Sequence, residues 1–449
     1  MRTTKRQPFF FSFYDVDGIE RHLEQMAERG WFLEKAGGFL WTYRRGEPKA
    51  LHYSLIYYPT ASAFEPEKSE GQATFEDFCH HAGWETAASN AQLLVFRNDR
   101  EDPVPIHTDP EVELESLEAM SRRVVWSWYV LIVLCLLHIL TNLSFFGGDV
   151  IGFLSSPTRL FNALLFPLLF LYFLAEAVTW HRWKKRARAA AEQGDFLPTH
   201  GHHHLLLAIL AIFVLGTVGL AVYARGSSTA VMALLLVAGY GLLFSAVSAT
   251  RNLLRRKKVS RGKNIAVTLT VDIVLALALM GFTTWLILRH TPNVTLAQEP
   301  LLTLEALTGE TAPETEVFSR EEGTFLARHL DYSEYPARYD NGPAYHLAWD
   351  LTDVHAAFLF DACLDQYLHR YADWGDYEED YDPEHPFYVW EAMDPAPFGA
   401  DRAWQQRAYG RPQDKFLLVQ GSRIVELETS WTPSEKQLSA AGRAFSPSN

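Results

Sequence analysis

The sequence predicts a multi-pass α-helical membrane protein with an α+β domain at each end. Five apolar runs fill the middle third of the 449-residue chain, each close to the roughly 20 residues that cross a 30 Å hydrocarbon layer. Positive charge is crowded into alternate connectors between those runs. The two flanks show the short alternating and helical patterns of water-soluble α+β domains, and both are acidic.

The net charge of −14 conceals a strong segregation. Residues 1–120 hold 12 Lys/Arg against 21 Asp/Glu, and residues 301–449 hold 11 against 27, so the apolar block carries the surplus of cations. Neither flank has the basic face that a polyanion binder needs, which argues against direct nucleic-acid contact. Arg182, Lys184, Lys185, Arg186 and Arg188 fill one connector; Arg251, Arg255, Arg256, Lys257, Lys258, Arg261 and Lys263 fill another; the remaining two hold Arg159 and Arg225. Juxtamembrane Lys and Arg stay on the cytoplasmic side. The expected topology therefore has the N-terminus inside and the C-terminus outside the plasma membrane, with domains at 1–110 (cytoplasmic), 120–290 (five helices), 291–322 (linker) and 323–449 (extracytoplasmic).

In the N-terminal domain, Phe9-Phe10-Phe11-Ser12-Phe13-Tyr14 reads as a strand. Asp17 followed by Glu20 is a capping-box start for a helix to about Arg29, with Leu23, Met26 and Ala27 on its apolar face. Gly30-Trp31 stops that helix, and strands follow near Phe32–Lys35 and Phe39–Arg44. The pattern then returns 53 residues later: Ala27-Glu28-Arg29-Gly30-Trp31 aligns with His80-His81-Ala82-Gly83-Trp84, and Leu40-Trp41-Thr42-Tyr43-Arg44 with Leu93-Leu94-Val95-Phe96-Arg97. A duplicated β-α-β-β unit follows, its second copy using Leu51–Tyr58 and a helix over Thr74–His81. Two such units sharing one sheet, both helices on one face, make a sandwich close to ferredoxin-like folds. Trp31 and Trp84 are expected to cover the sheet end, and they are candidate functional positions if they do not.

The expected spans are Val124–Leu143, Leu160–Trp180, His204–Ala224, Thr229–Ala249 and Ile265–Leu288. Trp126, Trp128, Tyr129, Trp180, Trp183 and Trp285 fall at their ends, as interfacial aromatics do. His138, Glu176 and Asp272 lie within the spans and are candidate functional positions because intramembrane ionisable groups are costly. Glu176 and Asp272 each sit near a basic helix end, so snorkelling or pairing with those cations is the structural alternative. Pro167 reads as a tolerated kink. His200, His202, His203 and His204 precede the third span; without a Cys or carboxylate at ligand spacing they read as solvated, and neither metal nor cofactor is expected.

Phe11-Ser12-Phe13-Tyr14-Asp15, Glu24-Gln25-Met26-Ala27-Glu28-Arg29-Gly30-Trp31-Phe32-Leu33, the aromatic strands at Tyr43 and Tyr53–Tyr58, and Ala82-Gly83-Trp84-Glu85 together resemble the DUF2812 family. The resemblance covers roughly residues 5–100. It implies a bacterial protein with this domain ahead of several transmembrane helices, often found with PadR-type transcriptional regulators, and it supplies no catalytic residues.

Beyond the fifth span, Thr291–Glu322 is Pro-, Thr- and Glu-rich, with one short helix expected at Thr303–Leu307. Tyr345–Leu351 alternates like a strand, and Val354, Ala357, Phe358, Leu364, Tyr367, Leu368 and Tyr371 recur at helical spacing. Phe387–Trp390 is a further strand, Phe416–Val419 and Arg423–Glu428 flank a Gly421-Ser422 turn, and Thr432-Pro433-Ser434-Glu435 starts a capped helix. Asp373, Asp376, Glu378, Glu379, Asp380, Asp382 and Glu384 form an acidic cluster in which Asp376 and Asp380 are candidates for binding a cation or cationic peptide, although the EF-hand spacing and its glycine are missing. No phosphate-binding Gly-rich loop, His-Glu-x-x-His helix or Gly-x-Ser-x-Gly elbow occurs, and His346, His355, His369 and His385 are scattered, so no enzyme is expected. Cys79, Cys135 and Cys363 fall in three compartments of this topology and are expected to be unpaired.

Two soluble domains on opposite sides of a helical bundle predict a sensory or regulatory protein that links an outer domain to a cytoplasmic protein partner, within a lipid bilayer. The alternative is a transporter component or membrane-complex assembly factor.

Overall fold

The computed structural model describes residues 3–37, 40–90, 92–107, 109–199, 201, 203–223, 228–290, 300–309, 315–336, 345–370 and 388–447. The chain divides into two compact units, one made of Met1–His138 with Leu165–Arg289 and the other of Ile139–Leu164 with His290–Asn449.

The first unit opens with β1 (Thr4–Pro8), α1 (Val16–Glu28), β2 (Trp31–Ala36) and β3 (Leu40–Arg45), followed by β4 (His52–Tyr57), α2 (Glu70–His81), β5 (Glu85–Asn90) and β6 (Leu93–Asn98). Each set forms a three-stranded antiparallel sheet, in the order β1-β3-β2 and β4-β6-β5. The repeat therefore extends to topology. It extends further to irregularities: the ladder slips between Leu33 and Lys35 in β2 and between Thr86 and Ala88 in β5, which are equivalent positions at the 53-residue offset. Gly30 and Gly83, also equivalent, take φ of +75° and +91°, the left-handed stop that glycine allows.

Three local expectations differ from the structure. The two units form separate sheets, not one; β2 lies beside β5, and the bulge in each interrupts the regular edge that a shared ladder needs. Phe9–Tyr14 is not a strand. The ladder falls on the polar alternation just before it, and the aromatic run turns over the helices: Phe9 stacks on Trp41 with centroids 4.1 Å apart, while Phe13 and Tyr14 pack on Trp128 and Trp180. Asp17 and Glu20 form no capping box. The N-cap is Asp15, whose side chain does not cap the helix, and both acids serve distant backbone instead: Thr199 N–H donates to Asp17 at 2.7 Å and Leu55 N–H to Glu20 at 2.7 Å.

Five long helices and one short one follow: α3 (Pro110–Gly148), α4 (Val150–Ser155), α5 (Pro157–Ala191), α6 (His203–Tyr223), α7 (Ser228–Arg256) and α8 (Arg261–His290). Among the described residues, α3, α5 and α8 are long and apolar enough to cross a membrane. The other two expected spans coincide with α6 and α7, parts of which, with the expected tight turn between them, lie outside the described residues. Only 6% of the most apolar stretch of α3 and of α8, and 22% of that of α5, is buried within the protein. Most of each stretch is therefore apolar surface that the protein itself leaves uncovered among the described residues. Pro167 lies inside α5 without ending it.

The second unit holds α9 (Leu304–Thr308), β7 (Thr315–Gly323), β8 (Ala327–Pro336), β9 (Leu347–Val354), α10 (Phe360–His369), β10 (Tyr388–Met393), β11 (Arg402–Ala408), β12 (Arg411–Gln420), β13 (Arg423–Thr429) and α11 (Glu435–Phe445). Its strands form one seven-stranded antiparallel sheet in the order β10-β11-β12-β13-β9-β8-β7. Strand alternation makes the sheet two-faced: Phe416 and Leu418 of β12 join Trp349, Phe398, Leu304 and Phe445 on one side, and Leu417 and Val419 join Tyr367, Cys363, Ile151 and Phe153 on the other. The stretch that reads as a linker from sequence is partly built into this core, since Leu302, Leu304 and Leu307 are buried and Thr315–Gly323 is an edge strand. The last helix is capped by Ser434 with Gln437, two residues later than the Thr432–Glu435 pairing. The three cysteines are buried and unpaired.

A Cβ added at Gly30 meets the Gly46 carbonyl oxygen at 2.6 Å, on top of the positive φ. Gly30→Ala is expected to cost on the order of 1–2 kcal/mol from the backbone conformation alone, read as a fall of about 2–4 °C in Tm for the detergent-solubilised protein; an unchanged Tm would remove this account of the helix stop.

Candidate functional site

In the second unit, a polar cleft of about 340 Å³ opens between α4 with the start of α5 on one side and β7, β8 and the end of α10 on the other. Its wall is organised around two cross-strand pairs of β8 and β9. His329 faces Thr352 and Asp331 faces Asp350 in register, and since i and i+2 share a strand face, all four side chains lie on the same surface. The His329 ring is held from both sides, Nδ1 against Thr352 Oγ1 at 2.9 Å and Nε2 against Asp331 Oδ1 at 2.8 Å. A carboxylate only accepts, so Nε2 donates to Asp331. Thr352 in turn shares a 2.9 Å hydrogen bond with the Tyr367 hydroxyl.

The two aspartates are driven apart in acidity. Burial pushes Asp350 up to about 6, with the adjacent Asp331 charge adding to the shift and Arg370 opposing it. Burial works in the same direction on Asp331, but His329, a hydrogen bond from Asp350 and Arg320 together hold it below the ordinary carboxylate value. At a pH between those two values the pair holds one proton for two carboxyl groups, a consequence of like charges at close range. Arg370 bridges outward from it, 2.5 Å from Asp350 and 3.5 Å from Glu426, with its guanidinium 4.7 Å from the Tyr367 ring centroid.

The opposite wall comes from the short connector between α3 and α5. Asp149 accepts from the Gly152 N–H at 2.8 Å, from Gln366 of α10 at 3.1 Å and from Arg159 at 3.1 Å. Burial alone raises its carboxyl, but those three donors hold it below its usual range. Ile151 N–H donates back to Gln366 at 2.9 Å. The connector is thus stitched into the cleft wall.

The first unit contains the other organised junction. Glu176 of α5 has no exposed surface and accepts the Ser12 hydroxyl on both oxygens at 2.9 Å, inside a cage that includes Trp180 and Trp128 with Phe13 and Tyr14. Burial and the Glu176 charge push the Tyr14 phenol upward. Asn264 of α8 donates to the Phe64 carbonyl at 3.0 Å, and Arg261 and Lys258 pair with Glu65 and Glu67. The second basic connector thereby docks on acids of the N-terminal domain. Phe9, Phe11, Trp41, Tyr43 and Leu207 line a smaller, apolar groove of about 230 Å³ nearby.

The other residues singled out from sequence are dispersed. His138 packs on Phe166, ring centroids 3.7 Å apart. Asp272 is half-buried on α8 and makes no ion pair or hydrogen bond with the described residues. Trp84 is buried and donates to the Val104 carbonyl at 2.9 Å; Trp31 is half-exposed between Lys5 and Arg45, at 5.8 and 5.1 Å from its ring. Asp376 and Asp380, like His200, His202 and His385, lie outside the described residues, and among the described residues no cluster is placed to hold a metal ion. The cleft residues His329, Asp331, Asp350, Arg370, Asp149 and Arg159 went unread. The His-x-Asp spacing on a strand was the one local signal available.

These features define a protein with a duplicated α+β domain seated on apolar helices and a separate β-sheet domain holding a charged cleft. Residues 15–130 match the model of DUF2812, a protein family of unknown function, so the chain carries a DUF2812 domain that reaches from α1 into the first half of α3. No curated protein and no solved structure matches the chain.

The raised Asp350 value fixes a pH dependence. The native carboxyl holds its proton above the ordinary 3.8, so its contribution to stability is complete below about pH 4 and lost as pH rises through about 6. In Asp350→Asn that loss is expected to vanish, making the slope of unfolding free energy between pH 4 and 6 more positive than in the wild type; parallel slopes in denaturant titrations would contradict the shared-proton pair.

Proposed function

We propose that this chain is a five-pass plasma-membrane protein, N-terminal domain inside and C-terminal domain outside, that acts as a sensory or regulatory protein. The distribution of connectors supports the topology. The Arg/Lys-rich segments before α6 and α8 dock on the N-terminal domain, while the connector between α3 and α5 belongs to the C-terminal unit, as alternate passes require. Positive-inside charge agrees with that assignment.

What carries the sensory reading is that α3 and α5 each contribute to both organised junctions. Their connector forms a wall of the charged cleft, and further along the same two helices Trp128, Trp180 and Glu176 hold the Phe13-Tyr14 segment of the DUF2812 domain. A ligand or proton that binds one cleft arrangement better than another shifts the α3–α5 equilibrium by that difference in affinity. The cytoplasmic readout is a protein partner recognised by the acidic N-terminal domain, with PadR-type regulators the class that the family resemblance implies.

Hydrogen exchange of the full-length protein in nanodiscs, compared at pH 7.5 and 5.5 after correction for intrinsic rates, tests the coupling. Protection at residues 9–15 is expected to change together with residues 329–331 in the wild type, and neither to change in Asp350→Asn. A response confined to residues 329–331 sinks the coupling.

The transporter reading retains one specific observation, the half-buried Asp272 with no described partner on an apolar helix. An ion pathway through it predicts that Asp272→Asn abolishes a proton-dependent flux in proteoliposomes while expression stays normal; equal flux in both proteins removes that reading.

A further inference from the structure

Two phenylalanines of the second unit are left almost wholly uncovered, Phe325 at 81% and Phe358 at 84% exposed. Single exposed apolar side chains are ordinary on a protein surface; the setting of this pair is not. Phe325 sits in the turn from β7 to β8 and Phe358 in the single helical turn before α10, and the backbone joins them: the N–H groups of His355 and Ala356 both donate to the Leu326 carbonyl, at 2.9 and 3.1 Å. Beside Phe325, the Thr324 hydroxyl donates to the Leu154 carbonyl at 2.6 Å. Leu154 belongs to the connector from which α3 and α5 run into their apolar stretches, where Leu140, Leu143, Phe145 and Leu164 are also exposed. The acids just before Phe325, Glu321 and Glu322, are paired with Arg328 and Arg320, while Asp361, three residues after Phe358, is exposed.

We propose that Phe325 and Phe358 form a two-pronged anchor that inserts into the outer leaflet at its interface, fixing the β-sheet domain against the bilayer. The occupant of this surface is lipid because the Thr324–Leu154 hydrogen bond ties the Phe325 turn to the connector whose flanking helix ends also expose apolar side chains; lipid removes from water side chains that the fold leaves uncovered. The anchor rests on the membrane reading above, and it goes beyond it by making the sheet domain peripheral to the lipid surface as well as tethered by α8.

Single cysteines replacing Phe325, Phe358, Leu134 of α3 and Lys436 of α11, in the full-length protein reconstituted into phosphatidylcholine vesicles, test it by spin labelling. The native cysteines are buried, which confines labelling to the introduced site. The ratio of oxygen to aqueous-nickel accessibility at positions 325 and 358 is expected to exceed that at position 436 several-fold. A ratio equal to that at position 436 overturns the anchor, and so does low accessibility to both reagents, which marks cover by protein. Position 134 reports the bilayer separately: nickel access there overturns the membrane reading itself, whereas oxygen access there with nickel access at positions 325 and 358 overturns the anchor alone.

Discussion

The structure of the first unit depends on one buried carboxylate. Taking Glu176 out of water without a partner costs several kcal/mol, and the Ser12 hydroxyl, given to both oxygens, is part of what this fold supplies in return. That contact holds the end of the aromatic run off the sheet, with Phe13 and Tyr14 over Trp128 and Trp180, which explains why the most strand-like run in the domain is not a strand. It also makes the DUF2812 domain and its helices a single packing unit. The family match runs past the sheets into α3, ending two residues beyond Trp128, in keeping with that unit.

The second unit uses the same principle with different chemistry. Its sheet buries apolar side chains on both faces, and the short α4 connector supplies part of one of those cores through Ile151, Phe153 and Leu154. A loop between two apolar helices is thereby held as firmly as a structural element. Asp149 completes the arrangement by accepting from the connector, from α10 and from Arg159 at once, so the cleft wall is fixed by charge-assisted hydrogen bonds and hydrophobic contact together.

Legibility from sequence followed the range of the interactions. The apolar helices were visible because a hydrocarbon layer imposes a length on a contiguous run, and the duplication because a left-handed glycine and the tryptophan after it leave a local mark at Gly30 and Gly83. Asp17 and Glu20 have the spacing of a cap, yet their partners are Thr199 and Leu55, and no local pattern announces such distant donors. Strand β7 was hidden in a segment rich in Thr and Glu because it is an edge strand with an exposed, charged side. The cleft was hidden for a related reason: His329 and Asp331 acquire meaning only when β9 places Thr352 and Asp350 opposite them and a connector from far earlier in the chain closes the other wall.

Helix α3 has 39 residues, and at 1.5 Å per residue it extends about 58 Å, nearly twice the thickness of a hydrocarbon layer. Its first turns stand clear of the apolar stretch, braced where Glu118 grips Lys184 and Arg188 of α5 at 3.0 and 2.7 Å. A helix of that length exceeds such a layer by about 28 Å, so its acidic first turns, with Glu111 and Glu113, and its apolar stretch are separate surfaces of one rod.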